Sequence, residues 1–469
     1  MQFPSPIAGT GEDLAQQAGC GSRVIRSTHA LYSNHVDRPL SLTLQRREAI
    51  LLAFCDPLPA KYAKLQHLSL KQWQPLLHWL DTSGLALYFL DRMTELELCE
   101  MFPPAVLSRL QQNLADNTAK TVAMIAESTA IHHSFQKAWI SYATLKGFSL
   151  WPVSVPKLEL RSQLDLDFLV AEESATLGRK ILEDRGYRLH AVSGRTWEFK
   201  TNLEGPHSLK DLYKAMPQRS VELHLEATSM GRSLRLGRTE KHYFHGACMP
   251  VLSPVDLFLS QALHLYKHVC SAHSRTAHFI EFRRHVLVHH HDDTFWKNLR
   301  QLAERDPKTP IALGLVTLLI SHVMGDFAPE ALTCWSIDRL PAAARLWVEL
   351  YGRRTVFGNV PGSKLYLLLQ RALEPAVGPT KRSMRHALLP CCLPPAIEHA
   401  TPDETLPIRI MRYRRQLHFI LFRLRFHAVE GLRYLYELTL WQRHINRLTR
   451  QPTAFLRFKH HYREHDDRP

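Results

Sequence analysis

The stretch that decides the fold is Leu164–Val170, which reads LDLDFLV: apolar residues alternate with two aspartates and then continue as a buried strand. Because side chains two apart on a strand point to the same face, we expect Asp165 and Asp167 to stand side by side. Two neighbouring carboxylates repel each other unless a cation lies between them, and Mg²⁺ prefers oxygen ligands. The stretch therefore predicts an Mg²⁺ or Mn²⁺ site at a strand end and indicates phosphoryl or nucleotidyl chemistry.

Two further elements of the sequence match this chemistry. Lys146 and Gly147, followed closely by Ser149, come directly after a short predicted strand. A glycine there lets the backbone approach a phosphate, and the lysine supplies positive charge. Glu222, on a later predicted strand, is a third carboxylate, and three carboxylates can hold two metal ions that activate a hydroxyl group. The alternative is that Asp165 and Asp167 are simply the solvated end of a strand.

Composition limits the class of protein. The chain has 469 residues, of which 45% are hydrophobic, so we expect a globular protein of two or three domains. The net charge of +15 favours anionic partners, namely nucleotides, nucleic acid or acidic membrane surfaces. The eight cysteines are scattered without a C-x-x-C pair, and the N-terminus has no signal-peptide pattern. These features predict reduced thiols and a cytoplasmic location.

The pattern of apolar residues divides the chain into segments. Helical spacing gives way to short apolar runs around one helix between about 142 and 228, and then returns, which predicts a small α+β module between helical regions. The apolar run 311–324 contains Ser321 and His322 and is too short to span a bilayer, so no transmembrane segment is expected. The expected division is 1–40 disordered, 41–140 helical, 141–250 the α+β core, 251–387 helical, 388–406 a Pro-rich loop or linker, and 407–469 basic C-terminal helices.

Taken together, the order of these motifs resembles a known family. Helical stretches that resemble the family's N-terminal part precede Lys146, and a His-x-x-Lys-His run that precedes an arginine and an acidic residue follows the core. The sequence is similar to the uncharacterised nucleotidyltransferases within the DNA polymerase β-like superfamily. The resemblance rests on residues 145–147, Arg161, residues 165–170, Gly186-Tyr187, residues 221–224, His264, Lys267, His268, Arg275 and Glu281.

The resemblance implies a polymerase-β-like palm flanked by helices, a divalent metal site and transfer of a nucleotidyl group from an NTP such as ATP. By position, Asp165, Asp167 and Glu222 would be the metal ligands and catalytic carboxylates. The residues implied to border the phosphates are Lys146, Gly147, Ser149 and Arg161. Residues that could surround and support these ligands are His224, His264, Lys267, His268 and Arg275.

The sequence departs from the superfamily pattern in several places. Phe148 follows Gly147 where a serine or glycine is usual, and Ser149 comes one residue later. His278 stands where the family often has a tryptophan.

Several residues carry open alternatives. Arg161 either contacts a phosphate or pairs with Asp165 or Glu159, and His224 is either a general base or ligand, or a hydrogen-bonded neighbour. His264 and His268, four residues apart on one helical face, suit zinc, but spacing identifies no third ligand, although His273 and His278 are near. The run 289–293, HHHDD, is explained more simply by a helix end followed by an aspartate cap than by a metal site.

Two classes of function therefore stand. The first is a metal-dependent nucleotidyltransferase with an unidentified acceptor, which is a small molecule, a protein or RNA; a toxin or defence role belongs to this class. The second is a catalytically inactive protein of the same fold. It would bind nucleic acid or an anionic membrane through the segment 407–450, where arginines interleave with aromatic and aliphatic residues and only Glu430 and Glu437 oppose the charge.

Overall fold

The fold was analysed in a computed structural model. It describes residues 41–201, 211–215, 219–226, 235–378, 387–389, 393–394 and 405–450. The segments expected to be a disordered N-terminus (1–40), most of the Pro-rich loop, and the chain end after 450 lie outside these residues.

A seven-stranded mixed sheet forms the centre of the protein, in the order β3-β4-β5-β2-β1-β7-β6. The central strand β2 is antiparallel to β1 on one side and parallel to β5 on the other. The outer strands form two antiparallel hairpins, β3–β4 and β6–β7. The strands are β1 Tyr142–Leu145, β2 Leu166–Ala171, β3 Arg188–Ser193, β4 Thr196–Lys200, β5 Ser220–Glu226, β6 Thr239–Phe244 and β7 Ala247–Leu252.

The residues of β2 explain why it is central. All six of its residues are buried, because both faces of the sheet are covered. Phe168 and Val170 pack on one face with Ile131 and Phe135 of the long helix α4 (Pro104–Lys137), whereas Leu169 points to the opposite cluster. A continuous apolar run is what a strand buried on two faces requires.

Helices before and after the sheet share a single hydrophobic core. Their bounds are α1 Leu42–Leu52, α2 Leu70–Ser83, α3 Ala86–Glu95, α5 Ala175–Asp184, α6 Pro254–Val269, α7 Thr276–Val288, α8 Asp293–Ala303, α9 Lys308–Met324, α10 Glu330–Ser336, α11 Ala342–Phe357, α12 Tyr366–Val377 and α13 Leu406–Arg450. Buried residues of α1–α3 pack in one cluster with those of α6–α12. The guanidinium of Arg47 donates to the carbonyl of Phe357 at 2.7 Å, and the indole of Trp79 donates to Gly358 at 3.0 Å. The sheet is therefore inserted between two parts of one helical body.

The predicted α+β palm flanked by helices is confirmed as a fold class. Periodicity located β1–β5 and most helices to within a few residues. It did not predict the hairpin β6–β7. The 289–293 run is a helix end and a cap, as expected, because the side chain of Asp292 accepts a hydrogen bond from the backbone N–H of Phe295 at 2.9 Å.

The long helix α13 packs mainly through its C-terminal half. Tyr434 and Trp441 join the helical core, and Glu437 accepts hydrogen bonds from Tyr351 and Arg354 of α11. From Leu406 to Val429 most side chains are exposed. Among the described helices, none is both long enough and apolar enough to cross a membrane.

Candidate active site

The turn after β1 holds Lys146 at the edge of the site. Lys146 and Gly147 both have positive φ angles, 50° and 42°, which direct the chain into a short 3₁₀ helix, Gly147–Leu150. The Ser149 hydroxyl donates to the Lys146 carbonyl at 2.8 Å, and buried Phe148 packs against Phe244, with ring centroids 5.3 Å apart. Ser149 therefore stabilises the turn, and Phe148 anchors the turn to β6.

Gly147 is required by a close neighbour as well as by its backbone angle. A Cβ atom at this position would lie 2.3 Å from Nε2 of Gln163. Gln163 is buried, and its amide donates to the backbone carbonyl of Asp165 at 2.7 Å. The glycine thus lets the turn pack against the chain that leads into β2.

The sheet topology brings three segments to one end. The chain leaves β1 beside the start of the antiparallel β2, so Leu145 pairs with Asp167. Strand β5 runs parallel to β2, and in that register Asp167 is the direct neighbour of Glu222. Glu222 and His224 share the less buried face of β5, while Val221 and Leu223 occupy the core face.

At this end, four side chains form one charged cluster. The Lys146 ammonium donates to Oδ1 of Asp167 at 2.6 Å and lies 3.8 Å from Oε2 of Glu222. Nε2 of His224 lies 2.8 Å from the same Asp167 oxygen and 3.2 Å from the Glu222 oxygen. Because carboxylates only accept hydrogen bonds, this ring nitrogen must carry a proton. Nδ1 of His224 lies 3.2 Å from the hydroxyl of Thr196 on β4, which fixes the ring.

The cluster changes the protonation of its members. Burial alone would raise the pKa of Asp167, but the hydrogen bond from His224 and the charge of Lys146 outweigh it and lower that pKa to about 2. Burial would lower the pKa values of His224 and Lys146, yet their contacts with Asp167 raise both. Asp167 is therefore an anion at neutral pH, and its contacts favour the protonated forms of its two basic neighbours.

Asp165 lies one residue before β2, next to this cluster. Burial and the negative charges of Asp167 and Glu222 raise the pKa of Asp165 to about 6, against the opposing charges of Lys146 and Arg161. Among the described residues, one group of ligand atoms within 4.8 Å of one another consists of Asp167, Glu222 and His224, and Asp165 is not part of it. The strand's alternation applies only from Leu166, so it does not fix the direction of the Asp165 side chain.

Arg161 takes a partner that was not among the alternatives. Its Nε donates to Oε1 of Glu281 on α7 at 3.0 Å, and the hydroxyl of Tyr88 donates to the same oxygen at 3.1 Å. Arg161 also contributes to the electrostatic surroundings of Asp165 and Arg275. This network joins helix α3, the loop before β2 and helix α7 behind the site.

A narrow cavity connects the charged cluster with helices α6 and α7. Lys146 and Arg161 line it on the side of the sheet. The helices contribute Leu257, Ser260, Gln261, His264, His278 and Glu281, and Leu150 closes one wall. Two cationic side chains therefore face a cavity beside the carboxylates.

Among the remaining candidate residues on α6, the two histidines face each other, whereas Lys267 faces solvent. His264 and His268 lie on α6 with their Nε2 atoms 3.1 Å apart, and His278 of α7 adjoins both. Burial and the neighbouring histidine lower the pKa of His264 to about 3, and burial with Lys267 and Arg275 lowers that of His268 to about 4. Lys267 itself is exposed.

The sequence interpretation missed Thr196 and Gln163 as contributors to this region, and it named His278 only as a histidine near His264 and His268. Alternation along β4 and β5 offered a weak signal for Thr196, since it pairs with His224 in the antiparallel register. Gln163 and His278 are positioned by loop and helix packing, for which periodicity gives no signal.

Two comparisons with known proteins gave a match. Residues 69–325 match the model of a family described as uncharacterised nucleotidyltransferase. A solved structure with a similar region is that of an antigenic nucleotidyltransferase-like protein from Paracoccidioides brasiliensis. It has 13% sequence identity and a TM-score of 0.26, over 46% of this chain and 95% of that one. No curated protein matches the chain. Because the family model covers more than half of the sequence, this protein belongs to the uncharacterised nucleotidyltransferase family.

Proposed function

We propose that the protein is a metal-dependent nucleotidyltransferase. It transfers a nucleoside monophosphate from an NTP to an acceptor that is a small molecule, a protein or RNA. The observation that carries the proposal is the convergence of Lys146, Asp167, Glu222 and His224 at one end of the sheet, in a chain of a nucleotidyltransferase family. In the reaction the acceptor oxygen bonds to the α-phosphorus, and the bond to the leaving pyrophosphate breaks.

The carboxylates fit Mg²⁺ or Mn²⁺. Asp167 and Glu222 are direct neighbours on parallel strands, Asp165 lies beside them, and carboxylate oxygens are the ligands these cations prefer. The Lys146 ammonium lies 2.6 Å from Asp167 and 3.8 Å from Glu222, and this contact with a cation supports the proposal. When bound there, the metal would neutralise charge on the phosphates and activate the acceptor hydroxyl.

We propose that Lys146 and Arg161 bind the phosphates of the NTP. Lys146 is partly exposed and lines the cavity together with Arg161. A lysine released from Asp167 by a bound cation would be free to contact a phosphate. Arg161 is held by Glu281 through Nε, and we propose that its two terminal nitrogens bind an anion. Gly147 and Ser149 shape the turn that presents Lys146, and we propose that they border the phosphates from there.

A labelling experiment tests this proposal. The purified protein is incubated with each of four α-³²P-labelled NTPs, Mg²⁺ and a cell extract, and the labelled species are separated. We expect one class of macromolecule or metabolite to acquire label with the wild-type protein and not with Asp167→Asn. No transfer of label, together with no Mg²⁺-dependent NTP binding by calorimetry, would contradict the proposal.

One observation favours a second role for α13, which is compatible with the first. Between Leu406 and Val429 this helix has no acidic residue, and it exposes large apolar side chains together with arginines. The exposed apolar residues of this half include Leu406, Ile408, Ile410, Met411, Tyr413, Leu417, Leu421, Phe422, Leu424 and Val429. Nucleic acid offers phosphates but little surface for aliphatic side chains, whereas an anionic lipid surface accepts both kinds of group. We therefore propose an anionic membrane surface as the partner of this half of α13.

A further inference from the structure

Three histidines converge from two helices beside the candidate active site. His264 and His268 are one turn apart near the end of α6, and His278 is in the first turn of α7. The ring centroids are 4.4 Å apart for His264 and His268, 5.3 Å for His264 and His278, and 5.5 Å for His268 and His278. One nitrogen from each ring lies within 4.8 Å of the other two.

The spacing of these nitrogens suits a transition-metal ion. In a tetrahedral zinc site with Zn–N bonds of about 2.0–2.1 Å, two ligand nitrogens lie about 3.3 Å apart. The Nε2 atoms of His264 and His268 are 3.1 Å apart, so they have the separation that such an ion would impose. The third nitrogen comes from α7, which packs against α6, and it lies within 4.8 Å of the other two.

The hydrogen bonding of the three imidazole rings also favours a transition-metal ion. Two ring nitrogens at 3.1 Å cannot both carry a proton between them, so at least one lone pair points inward. Within the described part of the chain, the buried Nδ1 of His278 has no hydrogen-bond partner. Imidazole nitrogens select zinc, copper, iron or nickel, whereas carboxylates select magnesium and manganese.

We propose that His264, His268 and His278 form a second metal site, which binds Zn²⁺ or a similar transition-metal ion independently of the carboxylate site. Three protein ligands leave a fourth coordination position on a tetrahedral ion. His264 and His278 line the cavity that Lys146 and Arg161 also line, so we expect the fourth ligand to come from this cavity. This proposal stands whether or not the protein transfers nucleotides.

The test separates the two metal sites. In an Asp165→Asn/Asp167→Asn/Glu222→Gln background, which removes the three proposed carboxylate ligands, the protein is equilibrated with Zn²⁺ or Co²⁺ and dialysed. We expect one equivalent of bound metal, with the intense visible absorption of four-coordinate Co²⁺. Adding His278→Ala or His264→Ala should abolish both the bound equivalent and the absorption. Adding His273→Ala, an exposed histidine in the same interhelical segment, should change neither.

Folding is checked separately from metal binding. Circular dichroism of the metal-free variants establishes that each is folded, and His278→Gln replaces any alanine variant that is not. Zn²⁺ should raise the thermal midpoint of the background protein by mass action and leave that of the folded His278 variant unchanged. Absence of bound metal in the background protein, or an unchanged equivalent after substitution of His278, would overturn the proposal.

Discussion

Lys146 and Asp167 form the central contact of the site, with 2.6 Å between the ammonium nitrogen and Oδ1. They are joined by topology, because Lys146 follows β1 and Asp167 lies near the start of the antiparallel β2. The ammonium lies between two carboxylates, where a bound divalent cation is expected. Under the proposed function, Lys146 would therefore compete with the metal ion for these carboxylates and, once released, contact a phosphate.

Replacement of Lys146 tests this competition. Lys146→Met keeps the length of the side chain but removes its charge, so Mn²⁺ no longer has to displace the ammonium from Asp167. Displacing a hydrogen bond between charged groups costs about 1.5–3 kcal/mol. We therefore expect Mn²⁺ to bind at least about tenfold tighter to the variant. MgATP should bind more weakly. Calorimetry measures both, and Lys180→Met, an exposed change on α5, is the matched control. Unchanged or weaker Mn²⁺ binding in Lys146→Met would show that the lysine does not compete with the ion.

Removal of the paired carboxylates tests catalysis. Asp165→Asn together with Asp167→Asn keeps the shape of the two side chains and removes their charge. We expect Mg²⁺-NTP turnover to fall by at least about 100-fold, the scale of losing an interaction with charge in the transition state. The readout is release of labelled pyrophosphate, and exposed Glu173→Gln is the control. Retained turnover in the folded double variant would exclude these aspartates as metal ligands.

Two glycines with positive φ allow the energetic cost of a steric clash to be distinguished from the cost of backbone strain. Gly147 (φ 42°) has Gln163 within 2.3 Å of a virtual Cβ, whereas Gly186 (φ 84°) has no atom within 4 Å. Gly186→Ala should cost about 1 kcal/mol of unfolding free energy from strain alone, and Gly147→Ala about 2–3 kcal/mol, because it also displaces a hydrogen-bonded glutamine. Urea unfolding measures both values.

The double variant Gly147→Ala/Gln163→Ala checks the cause. If the clash explains the difference, the two changes will be non-additive, since removing the Gln163 side chain frees space for the new methyl group. Strictly additive costs would mean that Gln163 does not oppose a side chain at position 147.

We expect Glu349 on α11 to make the free energy of unfolding depend on pH. Burial raises the pKa of Glu349 to about 7. A carboxyl group with a raised pKa in the folded state stabilises the fold below its unfolded pKa of about 4.5, and this stability is lost as pH rises through 7. Between pH 5 and pH 8 the free energy of unfolding of the wild-type protein should fall by an amount on the order of 2 kcal/mol because of Glu349. We expect this fall to be absent in Glu349→Gln. Urea midpoints at both pH values measure it, with exposed Glu374→Gln as control. Equal slopes with pH in wild type and Glu349→Gln would contradict the assignment.

The exposed half of α13 gives a binding prediction. Leu417→Ser with Leu421→Ser, or Arg414→Glu with Arg425→Glu, alters exposed side chains and leaves Tyr434 and Trp441 in the core. We expect each pair to weaken sedimentation with vesicles that contain anionic lipid, and binding to fall with added salt. Neutral vesicles are the control. Binding of wild-type protein to nucleic acid but not to anionic vesicles would overturn the proposed partner.

The sequence by itself determined the local features. Continuous apolar residues made β2 a buried strand, the change of period located the α+β module between helical regions, and Lys146-Gly147 was correctly placed after a strand. These features depend on neighbours in the chain, which hydrophobic periodicity and turn chemistry report directly. The order of motifs was also sufficient to identify the family.

The tertiary structure decided which side chains meet. Asp167 contacts Glu222 and His224 because β5 pairs in parallel with β2 in one particular register, and a shift of one residue would turn Glu222 and His224 into the core. The pairing of Arg161 with Glu281 and the approach of His278 to His264 depend on how α7 packs against α6 and the loop before β2. Such contacts join residues far apart in the chain, and their geometry is set by packing, which no spacing within the sequence encodes.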